Sequence, residues 1–94
     1  MNIPVNEYFE GKVKSLSFKT VDGKATVGVM AAGEYEFGTG APEKMTLIRG
    51  EWSLQLPGSN EYVAFAEGVT AEIPGESKFK LRIARDSSYL CEFV

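Results

Sequence analysis

The chain has 94 residues, the size of one domain and too few for two ordinary cores. Its 44% hydrophobic and 24% charged residues are typical of a globular protein, and no stretch approaches the roughly 20 apolar residues that a membrane-spanning helix needs. A net charge of −3 argues against a general nucleic-acid binder, and the absence of histidine removes the commonest general base, the commonest metal ligand and every Ser-His or Cys-His nucleophile pair.

In chain order, Met1 to Glu10 contains Glu7 and Glu10 and no apolar run, so no signal peptide is expected. Lys12, Lys14 and Lys19 cluster just beyond it, as on a solvated edge strand guarded by lysines. Val13 to Phe18 alternates Val13, Ser15 and Ser17 against Lys14, Leu16 and Phe18. Asp22-Gly23 marks a hairpin, with Ala25 to Met30 as the returning strand. A turn at Ala32-Gly33 leads into Glu34 to Gly38, where Tyr35, Phe37 and Thr39 share one face and Glu34 and Glu36 the other. Pro42 punctuates. Met45 to Ile48 runs up to Gly50, and Trp52, Leu54 and Leu56 alternate with Ser53 and Gln55 until Pro57-Gly58. Tyr62 to Ala66, Val69 to Ile73, Phe79 to Ile83 and Tyr89 to Phe93 bring the expectation to about nine strands. Glycines and β-branched residues interrupt every helical period, and so many short strands need closure or two packed layers. The fold class is therefore all-β, in a single domain over 1–94. Cys91 stands alone and cannot form an internal disulfide, which fits a cytoplasmic protein.

Two spacings carry more information. Six residues separate Glu43 from Gly50, as in the tail of the first cupin signature. Five separate Gly68 from Pro74, which Gly75 follows, resembling the second. The implied fold is a cupin-like jelly-roll β-barrel. In metal-binding cupins two histidines precede the glutamate and one follows the proline. Those places fall here on Phe37, Thr39 and Phe79, leaving Glu43 as the one ligand type retained. Two rings, a hydroxyl and a carboxylate do not make a transition-metal site, so no metal and no other cofactor is expected. The second signature departs from its pattern, with its glycine one residue early and Glu76 in the usual place. A ring-lined pocket with one carboxylate suits a flat ligand carrying hydroxyls; nucleosides fit, as do other polyhydroxylated molecules.

Over nearly all of Asn6 to Val94 the chain resembles the small cupin-fold pyrimidine/purine nucleoside phosphorylases of bacteria. The resemblance is carried by Asn6-Glu7-Tyr8-Phe9, Gly11-Lys12-Val13-Lys14-Ser15, Val27-Gly28-Val29-Met30 and Gly33-Glu34-Tyr35 with Phe37 and Thr39. Pro42-Glu43 with Met45-Thr46, Pro74-Gly75 with Ser77 and Phe79, and Ser88-Tyr89-Leu90-Cys91 complete it; it is weakest between Gly50 and Glu67. The resemblance implies phosphate-dependent cleavage of purine and pyrimidine nucleosides to free base and ribose 1-phosphate, in a homodimer, with no nucleic-acid or membrane partner. For that reaction Glu43 is expected to bind the ribose hydroxyls and favour an oxocarbenium-like transition state. Phe37 and Phe79 hold base and sugar, with Tyr35 and Tyr89 as further walls. Thr39 and Ser77 supply hydroxyls, and Lys14 is the cation for phosphate, with Arg49 in reserve. Lys80 and Arg82 fall on the face opposite Phe79 and Leu81. Cys91 reads as a small buried hydrophobe, and Trp52 as packing or a dimer contact. The alternative function is a non-catalytic, metal-free cupin that binds a nucleoside-like ligand.

Overall fold

In the computed structural model, which describes residues 2–93, the chain forms eight strands and one short 3-10 turn. Met1 and Val94, the outermost residues of the N-terminal reading and of the family resemblance, lie outside the described residues. The strands are β1 (Val5–Tyr8), β2 (Val13–Thr20), β3 (Gly23–Met30), β4 (Gly33–Gly38), β5 (Glu43–Gln55), β6 (Val63–Phe65), β7 (Thr70–Ile73) and β8 (Lys78–Phe93), with the 3-10 turn at Phe9–Gly11. Every pairing is antiparallel.

The long strands β5 and β8 form the spine, paired from Glu43 opposite Phe93 to Gln55 opposite Lys80. Beyond β8, β3 pairs with the half up to Phe93 and β4 with the half from Lys78 to Ile83. Beyond β5, β7 pairs with Glu43–Thr46 and β6 with Trp52–Leu54. One layer is therefore β1-β2-β3 with the β8 and β5 ends and β7, and the other is β4, the opposite ends of β8 and β5, and β6. Two strands shared between two layers make the rolled antiparallel sheet of a cupin-like barrel. A straight strand of 16 residues would run about 50 Å. The molecule is 41 Å in its longest dimension, so β8 curls with the sheet.

That sharing merges two pairs of the nine expected strands, and β1 adds one, which gives the eight found. Gly50 and the Ala84–Asp86 segment are bends within strands, and each joins two expected strands into one. The β5–β8 register shifts between Leu47 and Trp52, which marks bulges, and bulges bend strands. Gly50 sits there with φ +126°, and a Cβ on it would run into the Ser87 side chain. Ser87 is fully buried at the crossing, accepting from the Glu51 N–H at 3.1 Å and donating to the Arg85 carbonyl at 2.7 Å. The β2–β3 loop is Val21-Asp22, with Gly23 already paired to Thr20, one residue earlier than the Asp22-Gly23 signal implied.

β1 was not foreseen, because Pro4, Asn6 and Glu7 break any strand pattern. It pairs with Val13–Leu16, so β2 is an interior strand there and β1 is the edge. Val13, Met30, Leu47, Trp52, Leu54, Ile73 and Leu81 belong to the core and are essentially solvent-free. On β2, β3 and the far part of β8, several inward positions are held by small and polar residues: Ser15 and Ser17 on β2, Thr26 and Gly28 on β3, Cys91 on β8. These do not fill the interior, and a cavity results.

Candidate functional site

The cavity has a volume of about 600 Å³, within the range that accommodates small ligands. Phe37 on β4 and Phe79 on β8 are cross-strand partners whose rings stack at 5.6 Å and 23°, forming one wall. The hydroxyl-bearing Ser15, Thr26 and Tyr89 also line it. Tyr89 has its phenol beside Gly28, where a Cβ would stand 2.9 Å from the hydroxyl oxygen. Glycine at 28 thus leaves room for the phenol and for the close approach of β2, whose Lys14 carbonyl would stand 2.5 Å from such a Cβ. Burial pushes the Tyr89 phenol up to about 12, so it is a neutral hydrogen-bonding group at any physiological pH.

Glu43, the first residue of β5, points into the cavity and is half-buried. Cys91, on the neighbouring strand, donates its thiol proton to Glu43 Oε1 at 3.2 Å. Burial raises the Glu43 carboxyl above its ordinary value, and the thiol's hydrogen bond offsets part of that rise. Burial, and then the facing carboxylate, raise the Cys91 thiol, which therefore keeps its proton. The formal charges lining the cavity are both negative, Glu43 and, at the rim, Glu36; no lysine or arginine lines it among the described residues.

Of the residues singled out in the sequence, the structure brings Glu43, Phe37, Phe79 and Tyr89 together around this space. Tyr35 stands behind the wall, buried, with its hydroxyl donated to the Ala31 carbonyl at 2.7 Å. Thr39 and Ser77 do not line the cavity. Thr39 Oγ1 bonds the Pro74 carbonyl at 2.8 Å and accepts the Ser77 N–H at 3.0 Å, while Ser77 Oγ donates to the same carbonyl at 2.7 Å. Their hydroxyls clasp the end of β4 to the β7–β8 turn. Lys14 is also elsewhere: alternation along β2 sends Ser15 inward and Lys14 to the outer face, opposite Glu7 and Val29. Arg49 loses its expected parity at the β5 bulge and is exposed against Glu67 at 3.4 Å. Arg82 lies outside as expected, bound to Glu34 and stacked 3.9 Å over Tyr62. Trp52 is core, its ring 6.3 Å from that of Tyr89.

Phe9 was not assigned a role in the sequence, yet it lines the cavity mouth 5.4 Å from Phe37. Ser15 and Thr26 were missed too, although the Val13-Ser15-Ser17 parity was the available signal.

Cupin-like barrels often hold a transition metal, and here the donor set does not fit one. The corresponding places present two phenyl rings, a threonine turned into its clasp and Glu43, and among the described residues no three His, Cys, Asp or Glu side chains gather into a metal-sized cluster.

A family model described as pyrimidine/purine nucleoside phosphorylase matches residues 3–93. A pyrimidine/purine nucleoside phosphorylase of Tolumonas auensis is 57% identical over 91 residues, covering 97% of this chain and 98% of its own. A protein of unknown function from Vibrio parahaemolyticus has a crystal structure that superposes with a TM-score of 0.95 at 38% identity, each chain covered in full. A cupin-2 domain protein of Rhodospirillum rubrum shares the fold at a TM-score of 0.73 and 16% identity, over 95% of this chain and 67% of its own.

Proposed function

The chain belongs to the pyrimidine/purine nucleoside phosphorylase family, and from that premise we propose that it is a broad-specificity pentosyltransferase converting purine and pyrimidine nucleosides plus phosphate to free base and ribose 1-phosphate. The observation that carries this reading is the half-buried carboxylate of Glu43 in a cavity lined largely by rings and hydroxyls. In the reaction the C1′–N bond breaks with its electron pair going to the base, which takes up a proton. A phosphate oxygen forms the new C1′–O bond. Positive charge develops on the sugar as the base departs. Glu43 stands where an anion favours that charge, and its free oxygen accepts hydrogen bonds from ribose hydroxyls. Phosphate is an anion near pH 7 without help, its second pKa being about 6, so no histidine is needed to activate it. With Lys14 outside, phosphate is held by neutral donors, of which the Ser15, Thr26 and Tyr89 hydroxyls line the cavity.

The same absence of a lining cation favours a second reading, a non-catalytic barrel that binds a nucleoside-like ligand. Base release from uridine and inosine, assayed with and without phosphate by chromatography, separates the two. Release that requires phosphate and yields ribose 1-phosphate supports the enzyme, whereas binding without release from either nucleoside overturns it.

The proposal extends to a homodimer working in the cytoplasm. The outer face of β1-β2-β3 sets Val5 beside Leu16, Leu16 beside Val27, and Lys14 between Glu7 and Val29. These apolar side chains are exposed, Val5 at 65% and Val29 at 55%, and they form one patch carrying both signs of charge. Such a face suits a two-fold contact with a second copy. The free Cys91 thiol suits a reducing compartment.

A further inference from the structure

The chain leaves β1 through a turn in an unusual conformation. Phe9, Glu10 and Gly11 have φ of +52°, +57° and +89°, three consecutive residues in the left-handed region, two of them bearing side chains. For those two the Cβ crowds the following carbonyl, and such strain persists only where the surroundings over-determine it. Here they do. The Phe9 carbonyl accepts the Lys12 N–H at 3.2 Å, and the Lys12 carbonyl accepts the Ala31 N–H at 2.8 Å. The Phe9 ring lies 5.0 Å from Tyr35 and meets Phe37 edge-on at 5.4 Å and 84°. Tyr35 is in turn anchored by its hydroxyl on Ala31. All of these contacts serve a ring that is still 42% exposed. It is not core, and its place at the cavity mouth is what the strained turn achieves.

Phe79 and Phe37 stack as one wall of the cavity, and Phe9 stands edge-on to Phe37 at the mouth, so its ring plane is turned across the end of that wall. We propose that Phe9 is a specificity-determining residue whose ring stacks on the nucleobase at the cavity mouth, and that it favours purine over pyrimidine nucleosides; this rests on the reading of the site as a nucleoside pocket. A bicyclic base offers a larger face to the Phe9 ring than a monocyclic one, so the purine loses more when that ring is removed. Stacking on any base face is worth enough to read in kinetics.

The test compares wild type with Phe9→Ala, Phe9→Leu and Phe9→Tyr by steady-state phosphorolysis of inosine and uridine, with calorimetric binding of both nucleosides in parallel. Phe9→Ala is expected to raise the KM for inosine about tenfold, equivalent to about 1.4 kcal/mol. The KM for uridine should rise about threefold, with kcat and the KM for phosphate changed less than twofold. Phe9→Tyr restores inosine to within twofold, and Phe9→Leu, which keeps bulk without a π face, does not. Equal losses for inosine, uridine and phosphate, or rescue by leucine, reduce Phe9 to a packing residue and overturn the proposal. If wild type releases no base, the phosphorylase reading fails by itself. The stacking role is then judged on binding, where Phe9→Ala must weaken inosine more than uridine. Wild type that neither binds nor cleaves either nucleoside overturns both.

Discussion

Replacing Glu43 by glutamine keeps the shape of the side chain and removes its charge, and the structure sets what that should do. A full positive charge about 4 Å from a carboxylate, at an effective dielectric of about 20, is stabilised by about 4 kcal/mol. The charge on C1′ is partial at the transition state and the cavity is open to solvent at its mouth, so about half of that is a fair lower figure. At 1.36 kcal/mol per tenfold, the loss in kcat/KM lies between about 30-fold and about 1000-fold. The loss should fall mainly in kcat, because the glutamine oxygen still accepts from the ribose hydroxyls in the ground state, whereas the charge acts most strongly on the transition state. Its pH dependence has a definite sign. Burial raises the carboxyl, so wild-type kcat/KM climbs with pH through a midpoint above the ordinary glutamate value, and the variant lacks that limb. Stability moves the opposite way. A carboxylate whose folded pKa is raised costs stability once pH exceeds that pKa, and costs nothing below its unfolded value. Glu43→Gln is therefore expected to melt higher than wild type at pH 7, with the difference vanishing near pH 4. Phosphorolysis rates across pH, with unfolding followed by the fluorescence of Trp52, measure both arms. Turnover within threefold of wild type at pH 7 would refute the electrostatic role, and a lower melting temperature at pH 7 would refute the stated cost of burial.

Three further outcomes are expected. Cys91→Ser keeps a hydrogen-bond donor to Glu43 Oε1 and leaves kcat/KM within threefold, whereas Cys91→Ala removes the donor and moves the acidic limb of the pH profile upward. Glu76 carries φ +49° at the place where cupins usually have glycine, so Glu76→Gly should add roughly 1 kcal/mol and raise the melting temperature by about 5 °C in calorimetry. Leu16→Lys, on the outer face and away from the cavity, should shift light-scattering mass from dimer to monomer; an unchanged mass removes the β1-β2-β3 face from consideration.

Alternation carried most of the fold. The β2–β3 hairpin, β4 with Tyr35 and Phe37 on one face, and the inward phase of Phe79, Leu81 and Ile83 were legible because strands have a period of two. Glu43 and Phe79 were legible only through the signature spacing, since no local pattern marks a pocket. One cause of failure is that parity says which residues share a face but not which face is inside. On β2 the choice lay between Val13-Ser15-Ser17 and Lys14-Leu16-Phe18. Hydrophobicity does not settle it, because Leu16 and Phe18 are about 40% exposed while Ser15 and Ser17 are buried. Lys14 went to the outer face for that reason. Thr39 and Ser77 failed differently: their partners lie 35 to 38 residues away or across a turn, and no local signal reports that a hydroxyl is already engaged. The merging of strands at Gly50 depended on Ser87, equally distant in sequence.

The inverted face of β2 and β3 ties the site to the assembly. A barrel that buries Ser15, Ser17, Thr26 and Gly28 where others bury branched aliphatics gives up apolar burial there, at roughly 25 cal/mol for each Å² not removed from water. Asn6 partly offsets this by donating to Ser17 at 2.8 Å and Ser15 at 3.2 Å, which holds the edge strand β1 over the polar interior. The same strands place Leu16, Val27 and Val29 outside, where a lone barrel leaves them wet. A hollow polar interior and an apolar exterior on one three-stranded segment are two consequences of a single alternation, and a second copy packed on that exterior would recover the burial that the cavity forgoes. On the function proposed above, dimerisation then supports the site without contributing a side chain to it. A monomerised variant should accordingly keep its KM for nucleoside and lose thermal stability. If the KM rises with monomerisation instead, the outer face reaches the cavity by a route other than burial.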